Sequence, residues 1–392
     1  MTIGAKTTYL DYNASAPLRP QARTVLLEAL ECEGNASSIH AFGRKASGVI
    51  EAARKDIAAL VDALPANVAF TSGGTEANVT ALSPIWLRNG QPFTLSKLFV
   101  SAVEHPSVLA GGRFSAEQVE QLPVDANGLL NLEILREKLG ALPEGETALV
   151  AVMAANSETG VLQPLQEIGV IVEDAGHLLH VDAVQAAGRI ALSQPMIASH
   201  SMAVSSHKIG GPQGVGALIM GKGDLRPAPL LTGGGQESWR RAGTHNTAGI
   251  AAFAAAARAA LAEIPSLETQ ALRDQLEQEL RLEQPDLVVF GADAPRLPGT
   301  TCLTVPGVVA ETALIAFDLA GIAVSSGSAC SSGKVGASHV LLAMGCEEDL
   351  ARGALRISMG WNTSADEMQK FKREFLRIAA RLQKKDRARA AS

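Results

Sequence analysis

The chain has 392 residues, 47% of them apolar and 19% charged. That is enough for two or three domains at roughly 150 residues each, and it excludes intrinsic disorder. With 34 Lys and Arg against 40 Asp and Glu, the formal charge is -6. No basic surplus exists to displace phosphate counterions, so direct nucleic-acid binding is not expected.

The ending RLQKKDRARAAS is the one basic patch, and it reads as a solvated helix end. The opening MTIGAKTTYLDYNASAPL lacks the charged region and unbroken apolar stretch of a secretory signal. The run GIAAFAAAARAALAEI from Gly249 is interrupted by Arg258. It falls short of the roughly 20 residues a spanning helix needs, so a packed helix and no membrane partner are expected. Cys32, Cys302, Cys330 and Cys346 form no CxxC pair. Neither a disulfide framework nor an intrinsic metal site is expected, and the location expected is cytoplasmic.

In chain order, VAFT (68–71) predicts a strand, and SGGTEANVTALSPIWL a tight turn entering a helix. KLFVSAVEH (97–105), ALVAVMAA (148–155), HLLHVDA (177–183), SMAVSSHK (201–208) and VGALIM (215–220) predict further strands. LNLEILREKLGAL and LQEIGVIVEDAG supply helices between them. Continuous apolar strands alternating with helices predict an α/β fold, a mostly parallel sheet covered on both faces. The run SHKIGGPQGVGALIM leaves room for one antiparallel strand. An alanine-rich helix (247–263) and a charged helix (266–283) then change the rhythm. Beyond them come VVF, TCLTVP, the helix VAETALIAFDLAG, IAVSS, a Gly/Ser loop and LRISMG, the pattern of a smaller α+β domain. A final amphipathic helix starts near Ser364, where SADE can form a capping box.

Several positions carry chemistry. Lys208, in SHKIGGPQG (206–214), ends a core strand beside His207 and ahead of three glycines. It reads either as a surface lysine or as a Schiff-base amine whose pKa its neighbours lower. In TSGGTEAN (71–78), Gly73, Gly74 and Thr75 open a helix after a strand. Their N–H groups would cradle a phosphate or merely form a capped turn, and the spacing is neither Walker A nor GxGxxG. Asp182 closes a strand at the edge where open sheets bind ligands, with Gln185 three residues on. It could instead cap the next helix. His105, in EHPSV, could stack on a ring or satisfy a turn. Cys330, in SSGSACSSGKVG (325–336), stands outside any apolar run, unlike Cys302 in TCLTV. It is either incidental or a nucleophile. Arg240, Arg241 and Thr244 follow three glycines, and Arg356 lies on a strand, suited to gripping a carboxylate, although either piece could as easily supply salt-bridge partners.

The motifs YLDYNASAPL, GNASSIHAFGRKA, FTSGGTEAN, EHPSV, NSETG, VDAVQAAG, SSHKIGGPQGVGAL, GGGQESWRRAGTHN, SSGSACSSG and LRISMG run from residue 9 to about 360. In this order the chain resembles the pyridoxal-phosphate (PLP) dependent cysteine desulfurases of the NifS/IscS type, within the class V aminotransferases. The resemblance implies a type I, aspartate-aminotransferase-like fold with a seven-stranded large domain (16–258). An N-terminal segment (1–15) would pack with the small domain, and 259–392 would form that domain and carry the cysteine loop.

It further implies that Lys208 holds PLP covalently, Asp182 pairs with the pyridine nitrogen, Gln185 approaches the phenolic oxygen and His105 stacks on the ring. Gly74, Thr75, Ser205 and His207 would bind the phosphate, completed by Thr244 of the neighbouring subunit of a homodimer. Asn13, Asn35, Asn156 and Arg356 would hold L-cysteine, with Arg356 on its carboxylate. Cys330 would take the sulfur as a persulfide, leave L-alanine, and pass the sulfur to an iron–sulfur scaffold or another acceptor protein. A cluster could meet Cys330 only transiently, because one thiolate cannot make a four-cysteine site. Ala36 and Ser157 depart from the common GNPSS and NNETG patterns without removing a proposed ligand. A selenocysteine lyase or a class V aminotransferase of the same fold is the alternative, although an aminotransferase needs no thiol at Cys330.

Overall fold

A strand covered on both faces loses the apolar/polar alternation of a half-buried one, and five strands of the central sheet are buried at every position. The computed structural model describes residues 7–221, 224–264, 266–327 and 336–390. Its central sheet has seven strands: β1 (Val68–Thr71), β2 (Lys97–Ser101), β3 (Val119–Leu122), β4 (Ala148–Met153), β5 (Leu178–Asp182), β6 (Ser201–Ser205) and β7 (Gly216–Met220). They lie in the order β1-β7-β6-β5-β4-β2-β3. Only β7 is reversed, antiparallel to both β1 and β6, while the remaining neighbours are parallel. The single antiparallel strand that the SHKIGGPQGVGALIM run allows is therefore present.

Three departures from the sequence reading have local causes. The helix that starts at Gly74 ends at Ala81, and SPIWL leaves it for a strand, Ile85–Arg88, paired with Gln91–Thr94. Asn89 and Gly90 turn that hairpin with φ of 50° and 78°, the left-handed pair that a two-residue hairpin turn requires. Strand β3 has no apolar run because it sits at the sheet edge, where only Leu122 is fully buried. The sequence reading places no element before residue 66, yet helices Pro20–Leu30 and Ala41–Ala59 both pack on the alanine-rich helix Thr247–Leu261.

The smaller C-terminal unit holds an antiparallel four-stranded sheet of Val288–Val289, Thr300–Thr304, Leu355–Ser358 and Ser325–Ser326, in that spatial order. Its own apolar core includes Phe317 stacked on Phe371 at 5.2 Å, with Phe375 beside them. The last helix, Ala365–Ala390, opens on the expected capping box: Ser364 N–H donates to Glu367 at 3.0 Å and Glu367 N–H to Ser364 Oγ at 3.4 Å. Near the N-terminus, Thr8–Tyr9 pairs in parallel with Ile322–Ala323, and Asp11 bridges to Ser358. No helix among the described residues is long and apolar enough to cross a membrane.

Candidate active site

The carboxyl ends of β1, β2, β4, β5 and β6 share one edge of the sheet, where parallel sheets place ligands. A cavity of about 420 Å³ opens there. It brings together Asn13, Gly74, Thr75, His105, Asp182, Gln185, Ser205, His207, Lys208 and Arg356 from elements spread over the whole chain. Two glycines let the backbones approach. A Cβ on Gly216 would lie 2.7 Å from the Cα of Gly73, and one on Gly74 would lie 2.6 Å from Val184 Cγ2. Helix Gly74–Ala81 therefore starts flush against the loop after β5, with its first-turn N–H groups turned to the cavity end near Ser205.

Asp182 lines this cavity and is nearly buried. Its Oδ2 accepts from Asn78 Nδ2 at 2.8 Å and its Oδ1 from Val184 N–H at 3.0 Å. Because the Asn78 amide donates to the carboxylate, its carbonyl faces His180 Nε2 at 3.0 Å, so that nitrogen carries the proton. His180 Nδ1 then accepts from Ser201 Oγ at 2.8 Å, and burial drops the imidazole to about 3. The relay runs Ser201, His180, Asn78, Asp182, with every donor defined. Behind it Glu104 is fully buried and accepts only Met153 N–H, at 2.6 Å. Burial, reinforced by Asp182, pushes its carboxyl well above the usual range.

His105 caps helix Pro106–Leu109, with Nδ1 accepting Ser107 N–H at 3.1 Å. Burial lowers its pKa, with Lys208 and His339 acting the same way against Asp182. The ring is therefore neutral with its proton on Nε2. Lys208 follows β6 in a short turn, and its Nζ donates to the carbonyls of Asn13 at 2.5 Å and Ala14 at 3.0 Å. His207, 2.9 Å from Ser205 Oγ through Nδ1, is lowered to about 4 by burial and by the cations Lys208 and Arg189. Arg189 is half-buried, brought to about 10 by desolvation and Arg356, and braces Asn13, Tyr12 and Lys208.

At the other end Arg356 donates to Asp11 at 2.8 Å and to Ser157 O at 3.1 Å. Its Nε is buried without a partner, as is Gln185 Oε1, whose amide nitrogen donates to Asn13 O at 3.0 Å. Both unpaired atoms belong to side chains lining the cavity.

Four sequence-predicted residues lie elsewhere or beyond description. Asn156 stands one layer behind the wall, its Oδ1 accepting Glu158 N–H and Thr159 N–H at 2.9 Å each and its Nδ2 donating to Val103 O. Asn35 is exposed and caps its own turn, accepting Ser37 N–H at 2.9 Å. Thr244 is exposed beside a separate hollow with Ser72 and Gly214. Cys330 lies outside the described residues. Cys302, expected as core, is fully buried, and burial pushes its thiol pKa upward. Sequence reasoning missed Asn78, His180, Glu104 and Arg189. The signal available was a polar residue inside an apolar strand, as His180 is within LLHVD.

The sequence profile of the class-V aminotransferases matches residues 8–371. The chain is 39% identical over 360 residues to an IscS-like cysteine desulfurase of Mycobacterium tuberculosis, covering 90% of this chain and 91% of that protein. It is 37% identical over 381 residues to the cysteine desulfurase NifS of Azotobacter vinelandii, covering 95% and 93%. Among solved structures it is similar to a NifS-like protein from Rickettsia africae, with a TM-score of 0.86 at 32% identity, covering 95% of this chain and 99% of that one. The chain belongs to the class-V aminotransferase family, and the relatives it resembles within that family are cysteine desulfurases.

Proposed function

We propose that this chain is a PLP-dependent cysteine desulfurase that removes sulfur from L-cysteine, leaving L-alanine and a persulfide on Cys330. The observation that carries this reading is one cavity holding Asp182, Lys208 and a helix start flanked by Ser205 and His207. The donor set fits the cofactor. Gly74–Ala81 presents first-turn N–H groups, with a hydroxyl and a neutral imidazole beside them, to a phosphate dianion. Asp182, fixed by Asn78 and Val184, would hold a protonated pyridine nitrogen, and Gln185 would face the phenolic oxygen. The relay from Ser201 keeps the Asp182 carboxylate aimed.

When bound, PLP supplies an electron sink that labilises the substrate's Cα proton and weakens its Cβ–S bond. Lys208, which would hold the cofactor, would also serve as the base for that proton. Arg356 would take the substrate carboxylate with the part of its fork not committed to Asp11 and Ser157. His105, neutral with a proton on Nε2, would serve the substrate thiol and stack on the ring. The Cys330 thiolate then attacks the substrate sulfur. An S–S bond forms as the Cβ–S bond breaks, and Cβ takes a proton to give alanine.

Thr244 and Asn35, both exposed and away from the cavity, would act across a homodimer interface. The sulfur acceptor is an iron–sulfur scaffold or another thiolated partner, in a reducing cytoplasm where Cys32, Cys302 and Cys346 stay free. The test is the Lys208→Ala variant. It should purify without the yellow absorbance of bound PLP, and an unchanged visible spectrum would overturn the lysine assignment.

A further inference from the structure

The loop after β4 does more than turn the chain. Asn156 Oδ1 fixes it by accepting Glu158 N–H and Thr159 N–H, and Ser157 O accepts both Asn13 Nδ2 at 3.0 Å and Arg356 Nη1 at 3.1 Å. The next side chain, Glu158, points the other way and is 5% exposed. Its Oε2 accepts from Ser338 Oγ at 2.5 Å, and Ser338 Oγ in turn accepts Leu341 N–H at the start of helix His339–Ala343. The same oxygen meets the chain on the far side of Cys330: a Cβ on Gly327 would lie 2.5 Å from Glu158 Oε2 and 3.2 Å from Ser338 Cβ. Gly327 directly follows strand Ser325–Ser326, in which Ser325 stands opposite Arg356 in the ladder. One carboxylate oxygen therefore bonds Ser338 on one side of Cys330 and lies so near Gly327 on the other that a side chain there would collide with it. The loop bearing that carboxylate also holds the guanidinium proposed to grip substrate.

We infer that Glu158 is a positioning residue for sulfur transfer, clasping Gly327 and Ser338 so that Cys330 approaches from stems registered on Arg356. The inference rests on the desulfurase reading. A buried carboxyl at this point is otherwise hard to justify. Burial raises it to about 7 against the opposing pull of Ser338 and Arg356, a cost that an apolar residue in the same space would avoid. The physical benefit is positional: holding Ser338 and the chain at Gly327 against one carboxylate sets where the chain on either side of Cys330 starts, and small misplacements of a reacting atom cost on the order of a hundredfold in rate.

The experiment uses the PLP-loaded enzyme. Single-turnover alanine formation from L-cysteine is measured beside bound-cofactor content and the cysteine dependence of the visible spectrum. Glu158→Ala, Ser338→Ala and Gly327→Ala should each slow alanine formation by about ten- to a hundredfold. Cofactor content and the cysteine concentration for half the spectral change should stay within about twofold of wild type. Glu158→Gln, which keeps an oxygen for Ser338, should recover most of the rate. Wild-type rates in Glu158→Ala, or losses that track cofactor content instead of the sulfur step, would overturn the clasp. Ser338→Ala leaves the carboxylate in place and keeps the test open should Glu158→Ala not fold. A wild-type enzyme that forms no alanine would instead overturn the desulfurase reading itself, a result distinguishable from all of these.

Discussion

Replacing Glu237 with Gln should destabilise the protein by about 3 kcal/mol near neutral pH. The carboxylate is 6% exposed and accepts from Arg54 at 2.7 and 3.1 Å, from Phe70 N–H at 3.0 Å and from His245 Nε2 at 2.7 Å. Burial alone would raise its pKa. The bonds from His245, Arg54 and Phe70 outweigh burial and bring it from 4.5 down to about 2. At about 1.4 kcal/mol per pKa unit that difference is worth about 3 kcal/mol, similar to what breaking a buried pair costs. The amide can still accept from Phe70, but it leaves the nearly buried Arg54 without its counter-charge.

The same carboxylate pins a backbone that resists its own geometry. Glu237, Ser238 and Trp239 have φ of 51°, 53° and 64°, a left-handed run costing on the order of 1 kcal/mol per residue without glycine. With the anchor weakened, the turn should relax and carry Arg241 and Thr244 out of register, lowering cofactor retention as well. Because the native pKa is depressed, the stabilisation is complete above about 4.5 and disappears as pH falls through about 2. Urea unfolding of both forms near pH 7 and near pH 3 reads the difference directly. The gap should be less than half as large at the lower pH. Superimposable curves at neutral pH, or a gap that widens on acidification, would refute the reasoning.

Other outcomes follow from the same geometry. Gly74→Ala drives a methyl into Val184 and should weaken PLP binding at least tenfold in a fluorescence titration, while adding Val184→Ala restores most of it. Cys330→Ala should keep its cofactor spectrum yet release no sulfide from L-cysteine, and full turnover would move the thiol role to another residue. Glu104 has its native pKa raised, so its contribution is fully present below about 4.5 and is lost as pH rises. Glu104→Gln should therefore flatten the decline of melting temperature between about pH 5 and pH 8, and an unchanged slope would show that Glu104 is not the titrating group.

The parts of the fold legible in the sequence are those where burial is total. Strands β4 and β7, ALVAVM and GALIM, carry no polar side chain and are buried throughout, so apolar continuity alone marks them. Strand β3 was not legible because an edge strand needs only one buried side, and VEQL looks like any half-polar loop. The hairpin at Asn89-Gly90 was written plainly, but a continuous reading of the helix across Leu82 and Ser83 obscured it. Asp182, Gly74 and His105 were legible one by one because the first ends a strand and the others open helices, whereas Asn13 was reached only through the family resemblance. The supports behind them were not. His180 and Asn78 act only through Asp182, and nothing local distinguishes a buried relay histidine from core filling. Glu158 sits three residues from Ala155 on the cavity wall but faces Gly327 and Ser338, a relation set by tertiary contact across 180 residues to Ser338.

The central claim is tested most directly by incubating the PLP-loaded protein with L-cysteine and a thiol reductant while alanine and sulfide are quantified together. Alanine and sulfide should appear in equal amounts, with continued turnover. Alanine without sulfide, pyruvate in place of alanine, or an unreacted substrate beside an intact cofactor spectrum would contradict the assignment.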